Sequence, residues 1–305
     1  MSTPEAHPRS AGGVLAPVTT PFDPSGDVDL AAFGRNIARL LETGLNGILV
    51  AGSTGEAPLL DPDEQRRLVA AARAVIPVER WLLAGTGAES TRQTIALSKT
   101  AAAEGADAVL VRPPGYFAAA HSPASLADHY RAVADASPVP VLVYNIPKYT
   151  HLNLAPGLLQ QLTAHKNVIG AKDSSGDIKN LAAYREAAPR WAMYVGSGSF
   201  LYPALELGCD GGIVGVACYA AGLAVELYTA FRSGDRAHAG SLQQRLQPLD
   251  KEIVGKLGPA GIKAAMDAVG LEGGPVRPPL APLTPADRER IETLLAGERL
   301  QVAAR

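Results

Sequence analysis

The sequence predicts an α/β fold, a single (β/α)8 barrel with additional helices at its C-terminal end. Three observations predict it. Short apolar runs alternate with helical stretches along the chain, and the alternation repeats eight times within about 220 residues. No Asn-Gly type of hairpin turn lies between two apolar runs, so the strands pair in parallel through right-handed crossovers. A doubly wound open sheet is the rival arrangement, and it is disfavoured because no glycine fingerprint follows an early strand.

The elements follow in order. Residues 13–19 read as the first strand. Asp29 opens a helix whose apolar stripe of Leu30, Phe33, Ile37, Leu40 and Leu41 stops before Gly44. Residues 47–51 are the second strand. In Asp61-Pro62-Asp63-Glu64, Asp61 suits a cap, Pro62 the first helical position and Glu64 the reciprocal capping position. Strands are then expected at 81–84, 106–111, 139–144, 168–172, 193–195 and 211–216. The intervening helices are expected at 90–104, 122–136, 154–162, 177–188 and 199–207. Beyond the eighth strand, helical stretches are expected at 225–231, 236–254 and 262–269, and Thr284-Pro285 starts a last helix to about residue 295. The resulting organisation is a disordered tail over 1–12, the barrel over 13–222 and a helical extension over 223–305.

With 28 basic and 30 acidic residues the formal charge is -2, which points to no nucleic-acid partner. Apolar runs such as residues 139–143 are broken well short of roughly 18 residues, so no transmembrane helix is expected. The N-terminal stretch lacks the charged-then-apolar layout of a signal peptide. Cys209 and Cys218 lie in an apolar segment and read as buried free thiols, which fits a reducing, cytoplasmic setting.

In such a barrel, chemistry sits where strands end. Lys172 closes the apolar strand Val168-Ile169-Gly170-Ala171. A lysine there either snorkels to a surface or is a desolvated amine, its pKa lowered, able to attack a carbonyl. Tyr144 closes the fifth strand, either as an aromatic cap or as a phenol that relays a proton. Gly52-Ser53-Thr54-Gly55-Glu56 closes the second, where hydroxyls and amides beside glycines suit a carboxylate. Pro113-Pro114-Gly115-Tyr116-Phe117 puts two aromatics in a stiff loop, the mark of a site or an interface. Gly196-Ser197-Gly198 marks close backbone approach after the seventh strand. No histidine pair or acidic run forms a metal set, and neither a Walker nor a GxGxxG motif is present, so no metal and no cofactor are expected.

Together, Gly52-Ser53-Thr54-Gly55-Glu56, Tyr144-Asn145-Ile146-Pro147 and Gly170-Ala171-Lys172-Asp173-Ser174 resemble the dihydrodipicolinate synthase and N-acetylneuraminate lyase family of class I aldolases, over roughly residues 13–297. The resemblance implies that Lys172 forms a Schiff base with pyruvate and that Tyr144 is the proton relay. It implies that Ser53 and Thr54 hold the pyruvate carboxylate, and that Tyr116 reaches into a neighbouring subunit's site. It matches Gly196 to the glycine after strand seven and Val214 to the apolar residue beside the imine. It further implies a homotetramer, a pair of tight dimers, acting on a 2-oxo acid and an aldehyde, with no cofactor.

One departure bears on the substrate. The synthase branch carries an arginine two positions after the proline of the second motif, and that position here is Tyr149; the glycine often found after the next threonine is His151. Lys148 is adjacent, but in an extended loop it points away from Tyr149. Residues 82–91, 172–177 and 258–263 resemble 4-hydroxy-2-oxoglutarate aldolase. The resemblance therefore implies cleavage of 4-hydroxy-2-oxoglutarate to pyruvate and glyoxylate, with Tyr149 and His151 shaping the aldehyde end. Three alternatives stay open: condensation of pyruvate with aspartate semialdehyde, aldol cleavage or dehydration of a sugar-derived 2-oxo acid, and a barrel that binds without catalysing.

Overall fold

The computed structural model describes residues 12–298 and residue 300, so the tail expected over 1–12 falls, but for Gly12, outside the described residues. Eight parallel strands close a barrel in chain order: β1 (Gly13–Pro17), β2 (Gly47–Val50), β3 (Trp81–Gly85), β4 (Ala108–Val111), β5 (Val141–Asn145), β6 (Val168–Asp173), β7 (Ala192–Val195) and β8 (Gly211–Ile213). Between them run α1 (Leu30–Leu41), α2 (Pro62–Val75), α3 (Thr91–Ala103), α4 (Pro123–Ala136), the short α5 (Pro147–Thr150), α6 (Pro156–Leu162), α7 (Ile178–Ala187) and α8 (Leu201–Glu206). The caps are those the sequence implied. The Asp29 side chain accepts from the Ala32 amide, and Asp61 and Glu64 form a reciprocal capping box with Pro62 at the first helical position.

Side-chain alternation along the strands makes two apolar layers. Val14, Ala16, Ile48, Val50, Val109 and Val111 face the helices. Leu15, Leu49, Leu83, Leu110, Leu142 and Ile213 fill the barrel, and the upper end of this interior layer is capped by Tyr144 and Tyr194. Closure between β8 and β1 needs glycine, because a Cβ on Gly211 would lie 1.8 Å from the Gly13 carbonyl oxygen.

Four further helical elements complete the chain: α9 (Ala221–Arg232), α10 (Arg236–Leu249), α11 (Lys256–Ala268) and α12 (Pro285–Ala296). α9 packs on β1 as the eighth helix of the barrel, so the boundary expected at 222/223 falls inside it. The helix expected over 236–254 is α-helical only to Leu249. A π-helical stretch, Asp250–Gly255, follows and leads into α11, which is kinked at Gly258 (φ 59°, ψ -145°) ahead of Pro259. No helix among the described residues is long and apolar enough to cross a membrane.

A buried ion pair ties this extension to the barrel. Lys263 on α11 and Glu56 in the loop after β2 approach to 2.6 Å, with side chains 1% and 0% exposed. Lys263 Nζ also donates to the Pro275 carbonyl (2.6 Å) and stands 4.4 Å from the centre of the Phe22 ring. Burial pulls the Lys263 ammonium below its ordinary pKa, with Glu56 opposing. Arg277 adds a second tie. Its amide donates to Glu56 Oε2 (2.9 Å), its guanidinium grips both oxygens of Glu64, and it lies 4.2 Å from the same Phe22 ring. Removing one partner of a buried pair strands the other charge, so Glu56→Gln should lower the unfolding free energy by about 3–5 kcal/mol. Urea unfolding followed by tryptophan fluorescence measures this. The double change Glu56→Gln with Lys263→Met should cost less than the sum of the single changes; strict additivity would show that the pair is not coupled.

Candidate active site

Lys172 lies one residue from the C-terminal end of β6, 4% exposed, with Tyr144 of β5 and Tyr194 of β7 as its register partners. Its Nζ stands 4.4 Å from the centre of the Tyr144 ring, and among the described residues no carboxylate pairs with it. The adjacent acid is committed elsewhere. Asp173 accepts from Asn145 Nδ2 (2.7 Å), the Ser175 amide (3.2 Å) and Ser175 Oγ (2.7 Å), so it orders the loop after β6. Asn145 in turn takes the Leu154 amide on Oδ1 (3.0 Å) and donates to Asn153 (2.8 Å), which makes it a structural brace between two loops.

Lys172 and Tyr144 open into a cavity of about 230 Å³, which Ser53, Thr54, Gly196 and Tyr149 also line. The turn carrying Ser53 and Thr54 is fixed by its own backbone. The Gly55 and Ala57 amides bond to the Gly52 carbonyl, Glu56 sits in the left-handed region (φ 57°), and Thr20 Oγ1 donates to the Gly55 carbonyl (2.7 Å). Among the described residues the Ser53 and Thr54 amides have no intramolecular acceptor, which leaves them free for an anion's oxygens. Gly196 is required where it stands: a Cβ there would fall 1.8 Å from Ser174 Oγ and 3.0 Å from the Asp173 carbonyl.

Other expected residues lie elsewhere. Val214 is fully buried in the layer between barrel and helices and does not line the cavity; its neighbour Gly215 does. The strand expected to reach 216 ends at Ile213 and turns into a 3-10 segment, Gly215–Cys218, which re-aims the side chains. Tyr116 and His151 line a separate, outer hollow of about 580 Å³ that shares Ser53, Tyr149 and Pro259 with the inner one. Tyr116 is 82% exposed and packs edge-on against Phe117, with ring centres 4.9 Å apart. Glu89 holds that loop by accepting the Gly115 and Tyr116 amides (2.9 and 2.8 Å) and pairing with Arg112 (2.9 Å). His151 is exposed, in the left-handed region (φ 56°), and terminates α5.

The loop after β5 is helical rather than extended, and this overturns the expectation that Lys148 points away from Tyr149. Pro147 at the first helical position starts the turn, and both side chains line the inner cavity. Lys148 Nζ donates to the Gly255 carbonyl (2.9 Å) and lies 5.5 Å from the centre of the Tyr149 ring, and burial pushes the Tyr149 phenol above its ordinary pKa. A cation therefore stands at the cavity mouth. Ser197 and Asp250 also line the cavity, and neither was singled out individually from the sequence. For Asp250 the only signal was a polar residue inside an otherwise helical apolar pattern. Cys209 and Cys218 are buried free thiols, each pushed up to about 12 by burial, which keeps them inert. Among the described residues no group of three or more metal-type side chains is assembled.

Comparison with known proteins adds four findings. A family model described as the dihydrodipicolinate synthetase family matches residues 10–297. The chain is 36% identical to a protein of Parasynechococcus marenigrum named 4-hydroxy-tetrahydrodipicolinate synthase, over 98% of this chain and 99% of that protein. It is 38% identical to an uncharacterized DapA-like lyase of Halobacterium salinarum, over 95% and 94%. Among solved structures it is similar to YagE, a prophage protein of Escherichia coli K12 from the dihydrodipicolinic acid synthase family, solved in complex with pyruvate. That match has a TM-score of 0.90, 30% identity, and coverage of 95% of this chain and 99% of that one.

Proposed function

The chain belongs to the dihydrodipicolinate synthetase family, and from that premise we propose that it is a carbon–carbon lyase whose Lys172 amine forms a Schiff base with pyruvate. The observation that carries this reading is Lys172 itself, a buried lysine with no paired carboxylate among the described residues, against Tyr144 and opening into the cavity. The neutral amine adds to the ketone carbon of pyruvate; Tyr144 protonates the departing hydroxyl, and water leaves a protonated imine. The imine draws electrons from carbon three, whose proton passes to the Tyr144 phenolate to give an enamine. The enamine carbon bonds to the acceptor aldehyde, Tyr144 delivers that proton to the new alkoxide, and water then releases the product from the imine and restores the Lys172 amine and the Tyr144 phenol; cleavage runs the same steps in reverse. The free amides and hydroxyls of Ser53 and Thr54 supply the anchor for the 2-oxo acid carboxylate.

For the acceptor, condensation with aspartate semialdehyde has the wider support. Relatives over nearly the whole chain carry the name of that activity, and Lys148 supplies a cation for the semialdehyde carboxylate where Tyr149 supplies none. Cleavage of 4-hydroxy-2-oxoglutarate is the second reading. It is favoured by Tyr149, because a single ammonium does not reproduce a bidentate arginine, and a glyoxylate carboxylate lies closer to the imine. The exposed Tyr116–Phe117 pair supports assembly through that loop, as a pair of dimers in which Tyr116 completes a partner's site.

Four measurements test these readings. Pyruvate with borohydride should leave a stable adduct on Lys172 by peptide mass spectrometry and none on Lys172→Ala; an adduct elsewhere, or none at all, removes the reading. Tyr144→Phe keeps the ring and should lower kcat by roughly a hundredfold or more; an unchanged kcat would leave Tyr144 a packing residue. Lys148→Met should lower kcat/KM for aspartate semialdehyde by roughly ten- to a hundredfold, the scale of a lost charge-assisted hydrogen bond, with the KM for pyruvate little changed. Faster turnover of 4-hydroxy-2-oxoglutarate than of the semialdehyde on the same preparation would put the second reading first.

A further inference from the structure

His129 stands on the second turn of α4, 6% exposed, beside His121 at the end of the loop that carries Tyr116 and Phe117. Its Nδ1 shares a hydrogen bond with Thr91 Oγ1 at the start of α3 (2.9 Å). Its Nε2 is buried and has no hydrogen-bond partner. The same holds for Nε2 of His121, so the two rings do not satisfy each other. Arg112 at the end of β4 faces the ring, and the charged residues of α3, Arg92 and Lys99, are exposed cations. α6 and β5, which also pack on α4, carry no charged side chain. On α4 itself Tyr130 packs edge-on against the ring and its phenol donates to the Val111 carbonyl, while Asp128 is exposed and paired with Arg131. Glu89 is committed to Arg112 and to the Gly115 and Tyr116 amides.

A charged imidazole needs an acceptor for each of its two N–H groups. Here one nitrogen lacks any acceptor, burial keeps water from the charge, and the charge that faces the ring is a cation. We propose that His129 is a proton-sensitive latch: with a neutral ring the loop 113–121 stays docked, and a proton on that ring releases it. The loop is the part of this cover that yields at least cost. Tyr116 and Phe117 are largely exposed, and the loop's ties are the two Glu89 bonds and its own 3-10 turn, Ala118–Ala120.

Burial first, then His121 and Arg112, lower the docked ring from 6.5 to about 4. A histidine held below its ordinary value favours docking fully above about pH 6.5, and that contribution is lost as the pH falls from there toward 4. A released ring returns to its ordinary range. The equilibrium constant for loop opening should therefore rise roughly twenty- to thirtyfold between pH 7.5 and pH 5.0. Glu89, held below the usual carboxylate range, keeps its charge across this interval. The inference does not depend on the reaction assigned to Lys172.

Hydrogen exchange of the full-length protein tests this, read by mass spectrometry and corrected for the intrinsic pH dependence of amide exchange. Between pH 7.5 and pH 5.0 the opening of residues 115–121 should rise at least tenfold more than that of α6. A smaller excess overturns the inference, because the response is then absent or belongs to the whole fold. His129→Gln and His129→Asn keep a polar side chain toward Thr91 and do not titrate. In either variant the excess should fall below threefold, and a larger one assigns the response to another group and overturns the latch. Should neither variant fold, the excess in the parent decides.

Discussion

The geometry of the cavity depends on one ammonium–carboxylate contact out of water, between Lys263 and Glu56. Glu56 is the last residue of the turn that presents Ser53 and Thr54, and it holds a left-handed backbone that a non-glycine residue adopts only when its surroundings insist. Lys263 and the Arg277 amide supply that insistence from the C-terminal extension. The same α11 that carries Lys263 contributes Gly258, Pro259 and Ile262 to the cavity wall. The Ser53–Thr54 turn and this part of the cavity wall are therefore tied by one contact, although more than two hundred residues separate its partners in the chain. The contact is costly to form and more costly to break, so it serves registry better than net stability.

Around that frame, the two candidate catalytic side chains are placed by strand register rather than by loops. Tyr144 and Lys172 are partners across β5 and β6, and Asp173, one residue on, faces the other way into a brace with Asn145 and Ser175. This separation keeps a carboxylate off the amine. In general a lysine amine attacks a carbonyl only when neutral, and a paired carboxylate favours the charged form. The loops then decide what sits opposite, with Lys148 on a helical turn and Asp250 on a π-helical one.

Much of this was legible from the residues, and the rest was not for identifiable reasons. Apolar periodicity, caps and strand-end residues gave all eight strands and put Lys172, Tyr144, Ser53, Thr54 and Gly196 at one end of the barrel, the family resemblance added Tyr149, and one cavity collects them. Pro147 was a readable helix start, and taking the segment as extended turned Lys148 the wrong way. Val214 faces the helices because it alternates with Ile213: Ile213 fills the barrel, and Val214, still extended (φ -117°, ψ 130°), points to the other side. Tyr116 and His151 fall in an adjoining hollow because loop direction is set by tertiary ties, here Glu89 on the Gly115 and Tyr116 amides, that no local pattern announces. Asp250 and Lys263 were hidden for the same reason, since a buried charge looks like a surface charge until its partners are known.

The π-helical stretch Asp250–Gly255 has a consequence for how this scaffold changes over generations. A π-turn holds one residue more per turn than the α-helix around it. Deleting a single residue there would restore ordinary helix, keep the flanking helical faces where they are and change which residues stand in the stretch between them. Asp250, Val254 and Gly255 all line the cavity, so a change in length would replace several wall positions at once while the strands stayed in place. Substitutions alter this wall one group at a time, whereas an insertion or deletion re-cuts it in a single step. Loss of one codon in this helix would thus reshape the cavity wall while leaving the strands, Lys172 and Tyr144 untouched.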